Sequence, residues 1–325
     1  MIIDPRAGGG GVYRRTTGIS ATAIAVVLAA APVTGVAILI ATAMTACAHR
    51  NLLDTQGARR VEGGSFLMGS TLDERARALE LSYAGYGRIT PEAAHWIKRE
   101  FRQGRVDVPA YWIMEKPVTQ ADYFRFILDT GAPEPYVDRD TWARASVGYD
   151  YARVERALWP SGGPAQERLH HPVVLVSQPE ALKYCLWWGA ARGGRGWLPS
   201  EAQWEKAARG TDGRRYPWGD PYNPGLLNSA DAGPGDTVPV GAFPEAPSPY
   251  GVQDMAGNVF EWTSTREGAA QYVVKGGAWN SHGSMSRAAA RHARPEALRH
   301  LAIGFRCVLN PTRKKRSKAG RHSPT

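Results

Sequence analysis

The chain has 325 residues, enough for one large domain or two small ones, and its 43% of hydrophobic residues is typical of a globular protein rather than a disordered one. The formal net charge is +10, yet six of the cationic side chains lie in the tail 311–325, which contains no acidic residue. The rest of the chain is therefore only mildly basic, which argues against a surface that binds specific nucleic acids.

The first 50 residues contain an uncharged run, 16–48, that follows Arg14 and Arg15. This run is long enough to cross a bilayer, and its flanking arginines would stay on the cytoplasmic side. Three interpretations remain open: an uncleaved signal anchor, a cleaved signal peptide, and a lipoprotein signal that ends at Cys47. All three predict that the chain after His49 is extracytoplasmic, on the periplasmic side, and we expect a membrane or lipid anchor. A buried core helix is the alternative, although an uncharged run of this length is long for one.

Short strands and helices alternate in the first half of the remaining chain. Segment 61–70 predicts a strand, a turn at a glycine pair and a second strand, and segment 106–113 alternates like one strand. Segment 71–105 is charged and favours an inserted surface helix or loop. The next helix is predicted to begin after Thr119, which can serve as its N-cap. Segment 131–169 has weak periodicity and several prolines and glycines, and it predicts a long surface loop.

The second half begins with an apolar segment, 171–177, that predicts a strand. Ser177 is then expected to cap a helix, and Ser200 to cap another, with a glutamine three residues later as in a capping box. Gly210 is expected to end that helix. Tyr216 begins a tight aromatic turn, and beyond it the chain consists mostly of short runs between glycine, proline and asparagine.

The chain ends with a predicted strand, 304–309, and the basic tail. The tail is expected to be disordered, with contact to anionic lipids, cell-wall polymers or nucleic acid as the alternative. Cys185 and Cys307 are expected to be small core residues, and they could form a disulfide if the domain is exported. Because the cysteines show no zinc-ligand spacing, a structural zinc site is not expected.

Two carboxylates, Asp254 and Glu261, lie seven residues apart around the turn-forming pair Gly257-Asn258. Such a loop can direct backbone carbonyls and both acidic side chains to one point, which is how proteins bind a hard cation such as calcium. The alternative is a turn with an aspartate at its start and a glutamate at the start of a helix. The residues alone leave both interpretations open.

Eight segments of the chain occur in the order found in the formylglycine-generating enzyme (sulfatase-modifying factor) family, and over residues 60–309 the chain resembles that family. They are GGSFLMGS, PVTQADYFRFI, HPVVLVS, LPSEAQWEKAARG, YPWGD, VQDMAGNVFEWTS, VVKGGAWN and GFRCVL. The resemblance implies a loop-rich α+β fold similar to C-type lectin-like domains, and a monomer. The expected organisation is a signal or anchor segment, 1–50, a family domain, 51–310, and the tail, 311–325.

The resemblance also implies structural calcium. The first set of ligands would be the side chains of Asp254 and Glu261 and the carbonyls of Gly257 and Val259. A second calcium would lie near Asn228 and Ser229, where Asp231 or Asp236 would have to supply the remaining oxygen.

In family members that form formylglycine, two cysteines five residues apart bind copper(I). In this chain Ser281 and Ser286 occupy those positions. A serine hydroxyl is a hard, weak donor and cannot replace a thiolate for a soft ion, so copper is not expected. These serines and His282 are the candidate catalytic positions, with His282 as a general base or metal ligand, or as an exposed loop histidine.

The segment 282–306 is rich in arginine and lines the substrate groove in the family fold. The candidates for substrate binding are Arg287, Arg291, Arg294 and Trp279. A guanidinium can grip a carboxylate or a peptide backbone through two parallel hydrogen bonds. The alternative is that some arginines, above all Arg306, form internal ion pairs.

Two functions fit these features. The favoured one is an exported or membrane-tethered protein that binds a peptide-like substrate or partner in the groove, without copper-dependent formylglycine formation. The second is a non-copper oxidoreductase that modifies an extracytoplasmic peptide or metabolite. The sequence contains no nucleotide-binding glycine loop, HExxH or GxSxG motif, and no His-x3-His-x-Glu iron motif of the ergothioneine-synthase relatives.

Overall fold

The computed structural model describes residues 53–145, 148–160 and 162–311. In these ranges the α-helices are α1 (Leu72–Tyr86), α2 (Pro91–Lys98), α3 (Gln120–Thr130), α4 (Arg139–Ala145), α5 (Tyr151–Glu155), α6 (Gln178–Ala191) and α7 (Glu201–Arg209). None of them is both long enough and apolar enough to cross a membrane. The predicted N-terminal segment, Cys47 within it and the tail beyond Pro311 lie outside the described residues.

The strands form three small sheets. The strands are β1 (Ala58–Val61), β2 (Gly64–Met68), β3 (Gly104–Val108), β4 (Tyr111–Met114), β5 (Gly194–Trp197), β6 (Phe260–Arg266), β7 (Gln271–Lys275), β8 (His292–Pro295), β9 (Ile303–Gly304) and β10 (Val308–Pro311). The first sheet has the order β1-β4-β10-β5, the second contains β2 and β3, and the third has the order β8-β7-β6-β9. Short helices and strands of this kind agree with the predicted α+β class.

Three helix starts were predicted from capping residues, and the structure confirms them. Thr119, Ser177 and Ser200 each form a capping box with the residue three positions later. In each case the side chain of the later residue accepts a hydrogen bond from the backbone N–H of the cap. These bonds satisfy backbone donors that have no partner inside the helix. Helix α7 ends at Gly210, as predicted.

The predicted strands are wrong in their pairing. Segment 61–70 is no hairpin, because β1 pairs with β4 while β2 pairs with β3. Gly63 instead lies against a neighbouring chain segment, since a Cβ there would be 2.9 Å from the Ala110 nitrogen. The single strand expected over 106–113 is divided at Pro109, which has no N–H to donate. The closing strand is likewise divided into β9, which pairs with β6, and β10, which pairs with β4 and β5.

The expected surface loop 131–169 contains α4 and α5 and contributes to the core, because Val137, Trp142 and Val154 are buried. The expected strand 171–177 is buried but is not a strand. Leu175 adopts a φ of 60°, a left-handed conformation that a strand does not accommodate.

Segment 71–105 was expected to be an inserted surface helix or loop, and it forms two helices, α1 and α2, whose inner faces are not at the surface. Ala78, Ala93 and Ile97 pack with Met285 in a small apolar cluster. Met285 belongs to the short 3₁₀ turn Gly283–Ser286. The two inserted helices therefore cover this turn and form one side of the groove described below.

Cys185 and Cys307 form a disulfide between α6 and the residue just before β10, with a Cα–Cα distance of 5.4 Å. Both side chains are completely buried in the larger apolar core. The sequence predicted their core position and left the disulfide open.

Candidate functional site

The candidate site is a groove of about 880 Å³ bounded by the inserted helices, α4, the start of β6 and β8. Its most informative lining residues are Trp96, Trp142, Phe260, Met285, His292 and Arg294. A concave site of this size with mostly apolar walls and a few polar groups is typical of a ligand-binding site.

Strand β8 supplies the polar groups of the groove. It lies at the edge of its sheet and pairs only with β7 in the described structure, with His292 opposite Val274 and Arg294 opposite Tyr272. Because side chains alternate along a strand, His292 and Arg294 project from the same face. Both line the groove.

Arg294 is the predicted substrate-binding arginine that the structure places in the groove. Its guanidinium lies 5.2 Å from the centre of the Trp96 ring, and Nη1 donates to the carbonyl of Ala293 at 2.8 Å. No carboxylate of the described residues forms an ion pair with it, and burial lowers the pKa of Arg294. A partly buried guanidinium that retains free donors is suited to bind an anion.

The other arginines of this segment form internal ion pairs instead. Arg287, proposed for substrate binding, is completely buried, and its Nη1 donates to Glu100 at 3.1 Å. Arg291, also proposed, donates to both oxygens of Glu201, at 2.7 and 3.0 Å. Burying these guanidinium groups requires such partners. The alternative interpretation therefore holds for both residues.

Trp279, the fourth proposed binding residue, also belongs to the interior. It is buried in the larger core, and its ring packs against Tyr149 and below the guanidinium of Arg153. It lines a smaller cavity of about 310 Å³ rather than the groove.

His292 is a groove residue that the sequence analysis did not assign. It is buried between Trp96 and Phe260, with 4.9 Å between ring centres in each case. Neither ring nitrogen has a hydrogen-bond partner among the described residues. Burial, assisted by Arg294 and three other cations, holds the pKa of His292 well below its ordinary value. The alternation of His292 and Arg294 in a short strand is the signal that could have identified this residue.

Ser281 and Ser286 lie in different environments. Ser281 lines the groove, and its Oγ lies 3.4 Å from the side-chain oxygen of Asn280. Ser286 is completely buried, and its hydroxyl has no partner among the described residues. Gly277 adopts a φ of 71° close to Ser286, where a Cβ would clash with the hydroxyl. Of the two serines, Ser281 therefore lines the groove and Ser286 does not.

His282, the third candidate catalytic residue, is bonded to the carboxylate of Asp231 and does not contact Ser281 through a described hydrogen bond. Its ring packs edge-on against Tyr86, with 4.1 Å between ring centres. The same carboxylate accepts hydrogen bonds from Tyr222 and the Gly283 nitrogen. Burial opposes ionisation of Asp231, but these bonds outweigh it and lower its pKa. The contact between His282 and Tyr86 connects the start of the 3₁₀ turn to the end of α1.

Comparison with known proteins agrees with the motifs. The model of the sulfatase-modifying factor enzyme 1-like domain matches residues 44–311, most of the chain. The chain belongs to this family.

Two curated relatives and one solved structure illustrate the family's range. The chain is 36% identical over 178 residues to the bovine protein named inactive C-alpha-formylglycine-generating enzyme 2, covering 48% of the chain and 57% of the relative's length. It is 27% identical over 319 residues to the formylglycine-generating enzyme of Mycobacterium tuberculosis, covering 77% and 96%. PvdO from Pseudomonas aeruginosa shares the fold, with a TM-score of 0.58, 24% identity and coverage of 78% and 93%.

The calcium ligands expected from the family lie in a loop with three left-handed residues, Asp254, Gly257 and Asn258. Asp254 accepts one hydrogen bond from the Gly241 nitrogen, at 2.6 Å, and burial raises its pKa, so its charge is incompletely compensated. Glu261 is completely buried, but Arg306 donates to both of its oxygens at 2.7 Å. Asp254 therefore fits a cation, whereas the charge of Glu261 is already balanced by Arg306.

The second calcium set contains a buried oxygen that has no partner. The Asn228 amide nitrogen donates to the Asp236 carbonyl at 2.8 Å and to Asn258 at 3.1 Å, which fixes the side chain. Its Oδ1 is buried and has no hydrogen-bond partner among the described residues. A buried acceptor of this kind fits a hard cation. Asp236, one of the two proposed additional ligands, pairs with Arg168 at 2.8 Å, and the other, Asp231, is bonded to His282 as described above.

His300 provides a testable pH dependence at the groove. Its Nδ1 accepts a hydrogen bond from the Ala302 nitrogen at 3.0 Å, and burial, with a smaller effect of Arg294, lowers its pKa from 6.5 to about 4. The unfolded chain therefore binds a proton at a higher pH than the folded chain does. We expect the free energy of unfolding to fall, by at most about 3 kcal/mol from this residue, as the pH drops from 6.5 to 4.

Urea denaturation at several pH values checks this expectation. His300→Gln should make the decline shallower, because one of the groups that titrate differently in the folded and unfolded chains is gone, while His292 remains. His95→Gln, which removes an exposed histidine, should leave it intact. An unchanged decline in His300→Gln would show that this residue does not contribute.

Proposed function

We propose that this chain is an exported, membrane-tethered member of the family that binds a peptide-like ligand or partner in the groove and does not form formylglycine with copper. The observation that carries the proposal is the chemistry of the two positions where the family's copper cysteines belong. Ser281 is a neutral hydroxyl at the groove wall, and Ser286 is a buried hydroxyl. Copper(I) prefers thiolate ligands, and neither serine supplies one.

The shape and chemistry of the groove support binding of an extended ligand. About 880 Å³ is enough for several side chains of a peptide. The walls are largely aromatic and aliphatic, which favours burial of apolar side chains. Arg294 and His292 add polar groups that can fix the orientation of a bound chain.

Export is supported by two independent features. The uncharged N-terminal run that follows two arginines is typical of a signal or anchor segment. The disulfide between Cys185 and Cys307 is the second feature. Disulfides persist in oxidising compartments and are rare where thiols are kept reduced.

Calcium is proposed as a structural ion. Asp254, with the carbonyls of Gly257 and Val259 and a remaining lone pair of Glu261, would hold the first ion. The buried Oδ1 of Asn228 supports a second, with the Ser229 carbonyl beside it. The ion would neutralise the buried charge of Asp254 and fix the loop against the segment around Asn228.

Metal content tests the proposal. The full chain, purified in detergent, loaded with copper(I) and desalted, should retain well under one equivalent of copper, and it should contain calcium. The double variant Ser281→Cys with Ser286→Cys restores the thiol pair and is the matched comparison for copper. Asp254→Ala should lose the first calcium ion and leave the copper result unchanged.

Three results would contradict parts of this proposal. One tightly bound equivalent of copper in the unmodified chain would overturn the assignment of the serines. A different redox-active metal would favour the non-copper oxidoreductase. Absence of calcium from the unmodified chain, with no change of the melting temperature on addition of chelator, would overturn the structural ion.

A further inference from the structure

Two arginines line the groove without a carboxylate partner in the described structure, and of these Arg144 is exposed whereas Arg294 is partly buried. Among the arginines between residues 287 and 306, four have carboxylate partners: Arg287 pairs with Glu100, Arg291 with Glu201, Arg299 with Glu180 and Arg306 with Glu261. Arg294 has no such partner in the described structure and rests on Trp96 at the groove wall. A guanidinium stacked on an aromatic ring is held in place while its outer donors stay available.

His292 is a second and independent sign of a ligand. Both of its ring nitrogens lack partners among the described residues, although the side chain is buried. An unsatisfied buried polar group is destabilising and is uncommon in native proteins. The strand alternation that brings His292 and Arg294 to one face directs both toward the groove. An anionic ligand oxygen placed between them would accept a hydrogen bond from one ring nitrogen of the histidine and neutralise the arginine.

The charge around the groove favours an anion. Of the described lining residues, Arg144, Arg294 and Arg299 are cationic, and Glu92 is the acidic residue. Arg299 is neutralised by Glu180, and Glu92 is exposed. The net charge of the groove wall near β8 is therefore positive.

The walls favour an anion that is attached to an apolar group. Trp96 and Phe260 flank His292, and Met285, Leu298 and Ile303 extend the apolar surface. A small inorganic anion would leave this surface unused, whereas an apolar side chain next to a carboxylate would bury it. A planar carboxylate also matches the two parallel donors of a guanidinium.

We propose that His292 and Arg294 form a subsite for a carboxylate joined to an apolar side chain, as in the C-terminal residue of a peptide. Arg294 grips the carboxylate, His292 donates one hydrogen bond to it as a neutral imidazole, and the apolar side chain packs against the surface formed by Met285, Leu298 and Ile303. This inference rests on the proposed function, because it names the ligand class of the same groove.

Two matched probes test the subsite. N-acetylphenylalanine carries the carboxylate, and N-acetylphenylalaninamide has nearly the same shape without the charge. By calorimetry on the full chain, we expect the acid to bind at least about 10-fold more tightly than the amide, since charge-assisted bonds are among the strong ones. Arg294→Gln should abolish this difference, and Arg294→Lys should retain part of it.

Control variants separate the subsite from general charge effects. Arg105→Gln removes an exposed positive charge outside the groove, and it should leave both affinities unchanged. The melting temperature of each variant shows that it is folded. We expect little change for Arg294→Gln, because this residue has no ion pair in the described structure to lose.

The measured affinities of the two probes test the carboxylate subsite. Equal affinity for acid and amide, insensitive to Arg294→Gln, would overturn the carboxylate subsite and leave peptide binding in the groove intact. Inorganic phosphate that displaces the acid at equal concentration would show a general anion site and would also overturn the subsite. If neither probe binds the unmodified chain, the subsite fails, whereas the metal-content test of the proposed function is unaffected.

Discussion

Replacing Glu261 with alanine should lower the free energy of unfolding by about 3–5 kcal/mol, which is the typical effect of removing one partner of a buried ion pair. Glu261 and Arg306 are both completely buried, and two hydrogen bonds of 2.7 Å join them. Glu261 also accepts a bond from the Trp204 indole at 2.8 Å. The variant would leave the arginine charged and the indole without its acceptor.

Thermal and urea denaturation measure this effect. A loss of this size corresponds to a decrease in melting temperature of about 6–10 °C in a domain of this length. Asp73→Ala is the matched control, because Asp73 pairs with Arg77 at the surface and such pairs contribute at most about 1 kcal/mol. A double replacement of Glu261 and Arg306 by leucine should recover much of the loss, because no uncompensated charge remains. An unchanged stability of Glu261→Ala would contradict the ion pair.

Local signals in the sequence were sufficient for the helix starts, because a cap and its partner lie three residues apart. Ser200 and Gln203 illustrate this, since their bonds depend only on the conformation of one turn. The loop 252–262 could also be recognised as a special backbone segment, because its glycine and asparagine favour the left-handed region that Gly257 and Asn258 adopt.

Strand pairing could not be predicted in the same way, because it depends on residues far apart in the chain. β4 pairs with β1 on one side and with β10, almost 200 residues later, on the other. Nothing in segment 106–113 indicates these partners. Pro109 was the available signal for a division into two strands, since proline cannot donate to a ladder.

The arginine-rich segment shows the same limit at the candidate site. Its sequence indicates many cations but does not identify their partners, which come from α6, α7, β6 and the second residue after α2. In the structure four of these arginines form ion pairs, whereas Arg294 forms none among the described residues and lines the groove. The inserted helices explain part of this outcome, because Glu100 lies two residues after the end of α2 and neutralises Arg287 beneath them.

The buried charges also explain how a fold with short strands remains defined. Glu205 lies between Arg209 and Lys275, at 3.0 Å from each, and all three are completely or almost completely buried. Arg209 also donates to the Gly69 carbonyl and so connects α7 to the chain that follows β2. Such pairs require each partner to be in place, which favours one arrangement of the loops over others.

The disulfide should be the other large contributor to stability. It connects residues separated by 122 positions, and cross-linking a loop of this length restricts the unfolded chain strongly. Replacing Cys185 and Cys307 together with serine should lower the free energy of unfolding by about 2–5 kcal/mol. Urea denaturation of the full chain, with and without a reducing agent, measures the effect.

Comparison of the two conditions separates the cross-link from the substitutions themselves. Reduction of the unmodified chain should reproduce most of the loss, whereas the double variant should not respond to the reducing agent. Equal stability of the reduced and oxidised chains would contradict a stabilising role. If the loss is observed, a chain made in a reducing compartment would be less stable than one exported to an oxidising compartment, because the Cys185–Cys307 cross-link would be absent there.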